Sequence, residues 1–326
     1  MAHVLGQNQY GKAETRVVRV VRDGPRHTVR DLNVSVALSG DLDDVHLTGS
    51  NAHCLPTDTV KNTCYAFAAQ YGVGSPEAYG IRLARHFVGT AAPIHRARVR
   101  IEEYAWDRIP AGPAEPGTAE PGTGGGGTGD GRMADGGPAD GGPEPGHSFV
   151  RRGGEVRTAE VRWDGEHLAV VSGLRGLTVM NTTGSEFRGY LRDRYTTLEE
   201  ASDRILATEV TARWRHTPAA PDDAAARTDW DAGWARVRSR LLEAFAGTYS
   251  HSLQETLHAM GARVLDQEPG VDEVRLQLPN RHHFPVDLTP FGLENGNEVF
   301  HAADRPYGLI EGTVHREGAV PAIPAD

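Results

Sequence analysis

Leu32-Asn33-Val34-Ser35-Val36-Ala37-Leu38 alternates large apolar and small or polar residues without a break. Side chains of an extended chain point to opposite faces in turn, so this period of two reads as a strand with one covered and one wet face. Ala97, Val99 and Ile101 alternate with Arg96, Arg98 and Arg100 in the same way, and Val274, Leu276 and Leu278 alternate with Arg275 and Gln277. Half-buried strands of this kind are usually antiparallel. Asp23-Gly24-Pro25 and Asp164-Gly165 supply turn chemistry between strand candidates. Further strands are expected over 94–108, 148–163 and 284–288.

Helices separate these strands. Thr57 or Asp58 is placed to cap one that runs through Ala69. Ser75, with Pro76 at the first helical position, opens a second that reaches about Val88. Thr196 and Glu199 have capping-box spacing ahead of Leu198, Ala201 and Ile205, which predicts a helix carrying Arg204 off its apolar stripe. Residues 230–245 read as a long helix, and Ser252 opens another to about Leu265. Strands and helices in runs, without strict alternation, indicate an α+β fold with antiparallel sheets and helices on one face. Each half of the chain then leaves a sheet face or edge uncovered, which predicts a homo-oligomer.

Composition narrows the class. The chain has 326 residues, 38% hydrophobic and 24% charged, with a formal net charge of −10. The length suits about two domains at roughly 150 residues each. An acidic chain is not expected to bind nucleic acid, whereas a small anionic substrate needs only one or two local cations. No run of apolar residues is long enough for a membrane span. Neither a secretory pattern at the N-terminus nor a peroxisomal tripeptide at the C-terminus is visible, so a cytoplasmic location is expected. Cys54 and Cys64 are the only cysteines, and they read as free thiols. Residues 111–146 are almost all Gly, Pro, Ala, Asp, Glu and Thr, with no Leu, Ile, Val or aromatic residue. Such a segment cannot offset its ordering entropy by burial and is expected to be disordered, as an inflated hairpin tip or as a linker. No metal or dinucleotide motif is found, so neither a metal nor a cofactor is expected.

Several short polar constellations carry the chemistry. They are Asn8-Gln9-Tyr10-Gly11-Lys12, Thr57-Asp58-Thr59-Val60-Lys61-Asn62-Thr63, the run from Phe187 to Val210, and Leu278-Pro279-Asn280-Arg281-His282. His147-Ser148-Phe149-Val150 and Asn297-Glu298-Val299-Phe300 lie between and after them. Taken singly, Lys12 is an ordinary solvated charge, Thr57 a cap, Phe187 a core residue and Arg204 an exposed helix arginine. Six in order, from Tyr10 to about Val314, resemble the cofactor-independent urate oxidases, the uricases of the tunnelling-fold family.

The resemblance implies tandem tunnelling-fold domains over 1–165 and 166–316, with a flexible tail over 317–326. Four chains would assemble into a barrel with active sites at subunit interfaces. It implies oxidation of urate by dioxygen in purine catabolism, with Lys12, Thr57 and His282 as a catalytic proton relay. Arg204 and Gln254 would clamp urate, since guanidinium and amide match the mixed donor and acceptor edge of an anionic purine. Phe187 would stack on the ring. Leu253, where the family has a small aliphatic residue, and Asp58 would supply further substrate contacts, and Asn280 would hold dioxygen or water. A pterin-type enzyme of the same fold, or an inactive purine-binding relative, are the rival readings.

Overall fold

The computed structural model describes residues 3–24, 26–109, 146–218 and 229–324. Strands β1 (Tyr10–Val21), β2 (Thr28–Gly40) and β3 (Ile94–Tyr104) enclose three helices, α1 (Asp43–Leu47), α2 (Thr57–Gln70) and α3 (Pro76–Thr90). Short strands β4 (Trp106–Arg108) and β5 (Phe149–Arg151) follow, then β6 (Val156–Trp163), β7 (Leu168–Asn181) and β8 (Leu206–His216). Helices α4 (Trp230–Gly247) and α5 (Leu253–Gln267) precede β9 (Val271–Pro285) and β10 (Phe300–His315). Eight strands form one antiparallel sheet in the order β1-β2-β3-β6-β7-β8-β9-β10. This is the expected α+β architecture, and within one chain the sheet is open, with β1 and β10 at its two edges.

The alternation read from the sequence decides which face the helices cover. Leu32, Val34, Val36, Leu38, Ala97, Val99 and Ile101 are all buried in one cluster with α2 and α3. Val274, Leu276 and Leu278 are buried in a second cluster with α4 and α5. Burying that many aliphatic side chains, at roughly 1.5–3 kcal/mol each, is the main force holding helices to sheet. The intervening residues Arg98, Arg100, Arg162 and Arg213 point to the opposite, open face.

A buried polar network joins the two halves on the helix-covered face. Glu77, at the start of α3 and 0% exposed, accepts hydrogen bonds from Arg157 Nη2 at 2.6 Å and Ser172 Oγ at 2.6 Å. Arg157 also meets Asp231 of α4 at 2.6 Å, and Ser172 Oγ lies 2.9 Å from His216 Nε2.

Helix starts follow their capping chemistry only at some positions. Ser75 Oγ accepts from Ala78 N and Ser252 Oγ from Glu255 N, as expected. Thr57 and Asp58 are not caps: Pro56 holds the N-cap position without a side-chain bond, and Thr57 is the first helical residue. The helix expected around 196–205 is absent. Thr196 instead closes a turn on Asp193, whose carboxylate accepts from Thr196 Oγ1 at 2.9 Å and Tyr195 N at 2.9 Å. Leu198 is 52% exposed, so the would-be apolar stripe has nothing to pack against. The two strands expected around 274–278 and 284–288 merge into a single strand, β9, with residues 286–288 beyond its end.

Asp164 Oδ1 takes the N–H groups of Glu166 and His167 in the β6–β7 turn, where Gly165 has φ 97°. Cys54 and Cys64 are free thiols. Apart from Gly146, the expected Gly/Pro-rich insert lies outside the described residues. The chain enters and leaves it through β4 and β5, which pair antiparallel. Past β10 the backbone crosses the open face, where Ala322 N and Ile323 N donate to the buried carboxylate of Glu273. No helix among the described residues is long and apolar enough to cross a membrane.

Candidate active site

The first half of the chain brings Lys12, Thr57 and Asp58 to one region. Lys12 lies inside β1, opposite Val36. Between Lys12 and Thr15 the register slips by one residue, and Glu14 takes φ 56°. Glu14 N donates to Ser35 Oγ at 3.0 Å in compensation. The bulge matters because a one-residue slip exchanges the faces of every side chain beyond it. Thr15 and Val17 face the core; without the slip, Lys12 would face the other way. With it, Tyr10 and Lys12 share the helix-covered face. Tyr10 Oη then accepts from Leu55 N at 2.7 Å, tying the segment before α2 to β1.

Thr57 and Asp58 follow in the first, exposed turn of α2. Asp58 bonds Lys61 and, at 3.0 Å, Asn62 Nδ2. Lys61 holds its carboxyl below the usual range, and the charge of Lys12 contributes in the same direction. The described contacts contain no hydrogen bond between Lys12 and Thr57.

The second half assembles a different group. Arg204 sits in the irregular segment before β8, where its N–H donates to Ser185 O at 2.9 Å and its Nε to Ser185 Oγ at 3.3 Å. Its guanidinium carbon lies 5.3 Å from the centroid of the Phe187 ring. Phe187 is held by a backbone bridge to Ala201 and stacks on Tyr190 at 4.9 Å and 13°. Burial lowers the Arg204 pKa, and no acidic group offsets it. Among the described residues no carboxylate pairs with Arg204. A half-buried, unpaired guanidinium lying over an aromatic ring is poised to take an anion.

Asn280 and His282 continue the alternation of Val274, Leu276 and Leu278, so both point to the helix-covered face. Asn280 lies opposite Thr208 and Gly308, and His282 opposite Ala303. Burial lowers the His282 pKa, and the charges of Arg204 and His283 lower it further. His282 and Arg204 are therefore electrostatic neighbours, and the imidazole is neutral near pH 7. His283, on the other side of the strand, has its Nδ1 3.1 Å from Arg281 O. Gln254 is exposed in the first turn of α5, while Leu253 is buried at 2%.

Ser185 and Ser250, each 0% exposed, bridge the Arg204 segment to the start of α5. Nothing in the sequence singles them out. No motif or period could reveal them, because their role rests on a contact between segments far apart in the chain.

The two groups do not meet within one chain. Lys12 is on the edge strand β1, and Asn280 and His282 are on β9, six strand-to-strand steps away. A cavity of about 620 Å³ lies elsewhere, beside Trp230, His216 and Val271.

The comparisons fit this layout. A family model described as Uricase matches residues 8–162 and 170–311. The chain belongs to the uricase family. It is 45% identical over 316 residues to a uricase of Arthrobacter globiformis, covering 97% of this chain and 91% of that one. It is 33% identical over 314 residues to a uricase of Danio rerio, covering 94% and 93%. A crystal structure of uricase from Arthrobacter globiformis matches with a TM-score of 0.83 at 44% identity, over 99% of each chain. The sheet with its one-sided helices is thus the uricase, tunnelling-type fold. Both residue groups fall inside the matched segments.

Proposed function

We propose that the chain is a urate oxidase that converts urate, dioxygen and water to 5-hydroxyisourate and hydrogen peroxide. The observation that carries this reading is Arg204, half-buried over Phe187, without an acidic partner among the described residues and beside a neutral His282. Urate is a flat anion. Its charged edge matches a guanidinium donor pair from Arg204 and the mixed donor and acceptor amide of Gln254. Its ring face matches Phe187, whose plane is set by the parallel Tyr190 ring. Backbone groups at Leu253 and Asp58 are assigned to the remaining ring edge.

His282 is uncharged and can accept a proton at neutral pH. Lys12 and Thr57 are assigned the other end of the relay, with Asn280 holding dioxygen or water above the ring. Urate stripped of its protons is rich enough in electrons to reduce dioxygen directly. The protein's task is then to deprotonate, orient and place, without a cofactor. The net step adds one water oxygen to the ring, and the two electrons and two protons removed appear in hydrogen peroxide.

Because Lys12 and His282 lie near opposite edges of an open sheet, a complete site draws Lys12, Thr57 and Asp58 from one chain and the remaining residues from a neighbour. We assign the units over 1–165 and 166–316 as the two tunnelling-fold repeats, and the assembly as a homotetramer; the two hydrophobic clusters follow this division except that Leu168, Val170 and Trp230 pack with the first. The test is loss of urate absorbance in aerated buffer with peroxide detected alongside. Arg204→Ala should raise KM steeply, and Lys12→Ala should mainly lower kcat. Unchanged urate affinity in Arg204→Ala would remove the clamp from this account.

A further inference from the structure

The open face of the sheet is more basic than a chain of net charge −10 leads one to expect. Arg98 and Arg162 are direct cross-strand partners on β3 and β6. Directly opposed like charges repel, their Cβ atoms being roughly 5 Å apart in such a pair. Arg100, two residues along β3, points to the same face. The acid between them, Glu160, is already spent: it accepts from Arg100 Nε at 2.6 Å and Arg162 Nη2 at 2.6 Å. Three guanidinium groups therefore share one carboxylate.

Arg98 is half-buried and makes no hydrogen bond or ion pair among the described residues. Burial, with the charges of Arg100 and Arg162, depresses its pKa against the opposing charge of Glu160. A cavity of about 460 Å³ opens beside it, lined by Arg96, Arg98, Arg162, His167, Gln7 and Gln9 among others. The acid at its rim, Asp164, is engaged by the backbone N–H groups of the β6–β7 turn.

We propose that this cavity is an anion site for a phosphate-type dianion, held by Arg98 and Arg162 on the face of the sheet away from the urate residues. Arg98, with no ion pair among the described residues, and Arg162, which shares Glu160 with Arg100, together suit a tetrahedral oxyanion, and a bound dianion offsets the Arg98–Arg162 repulsion. The glutamines supply neutral donors at the rim. The cavity holds an isolated phosphate or the phosphate of a nucleotide, and the two are told apart by their relative affinities.

The test is calorimetric titration of the intact protein with inorganic phosphate, then with adenosine monophosphate, in chloride-matched buffer. Arg98→Gln and Arg162→Gln are compared with the unsubstituted chain. Saturable binding that weakens at least about tenfold in both variants supports the site. Tighter binding of inorganic phosphate assigns a free oxyanion, and tighter binding of the nucleotide assigns its phosphate. Arg98→Gln should also raise the melting temperature in phosphate-free buffer, because it removes an uncompensated charge. No binding to the unsubstituted chain, or binding in both variants as tight as in the unsubstituted chain, would overturn the proposal. Neither result bears on urate turnover, so the two readings fail separately.

Discussion

A mixed assembly of two inactive chains should recover activity, and the amount recovered is fixed by geometry. Lys12 and His282 are separated by six strand spacings, roughly 29 Å along the sheet. Neither side chain spans that distance, and β1 and β10 do not pair with each other in one chain. If Lys12 of one chain serves Arg204 and His282 of another, Lys12→Ala spoils one half-site and Arg204→Ala the other. Removing Arg204 deletes two charge-assisted hydrogen bonds worth about 1.5–3 kcal/mol each. That corresponds to a fall of roughly 10²–10⁴ in kcat/KM, so the background is low.

When the two variants are co-expressed in equal amounts and assemble at random, about one site in four combines an intact Lys12 half with an intact Arg204 half. Hybrids carrying two different affinity tags, isolated on both and assayed for urate loss per chain, should therefore regain on the order of a quarter of full activity or more, since selection enriches mixed pairs. Verified hybrids with no activity above either parent would refute the shared site. Both groups would then act within one chain, or one would be wrongly assigned.

Two further outcomes follow from the buried network. His216 has its pKa pushed down to about 4 by burial, with Arg157 adding to the effect. The folded chain keeps it neutral while the unfolded chain protonates it near 6.5. Stability is thus complete above about pH 6.5 and falls as pH drops toward 4, by up to about 3 kcal/mol. Urea midpoints between pH 7 and 4.5 should show this slope and a flatter one in His216→Gln; equal slopes would contradict the assignment. Glu77→Ala leaves Arg157, 8% exposed, with Asp231 and Glu103 but removes the acceptor of Arg157 Nη2 and of Ser172 Oγ, and should cost about 1.5–3 kcal/mol in urea unfolding. A loss below about 1 kcal/mol would mean that Asp231 and Glu103 alone satisfy Arg157.

Much of the sheet was legible because its strands are half-buried: the Leu32 to Leu38 alternation is itself the record of one covered face. Ser75 and Ser252 were legible for a similarly local reason, since an N-cap is satisfied within four residues. The segment carrying Arg204 was misread. Thr196 and Glu199 have capping-box spacing, but the competing turn on Asp193 and the lack of any surface to cover Leu198 leave it irregular. The alternation ends at Leu278 and a separate strand is expected over 284–288, whereas β9 runs through Pro279 to Pro285 beside β10.

By itself the sequence determined the fold class, the covered face of most strands, and a set of polar residues in family order, all set by neighbours a few positions apart. Tertiary structure alone decided that Lys12 faces the helices, because the bulge at Ala13 and Glu14 exists only in the pairing of β1 with β2. It alone decided that Ser185 steadies Arg204, that Arg204 has no acidic partner among the described residues, and that Arg98 opposes Arg162. These are properties of which strands lie side by side, and strand pairing joins residues whose separation along the chain leaves no local mark.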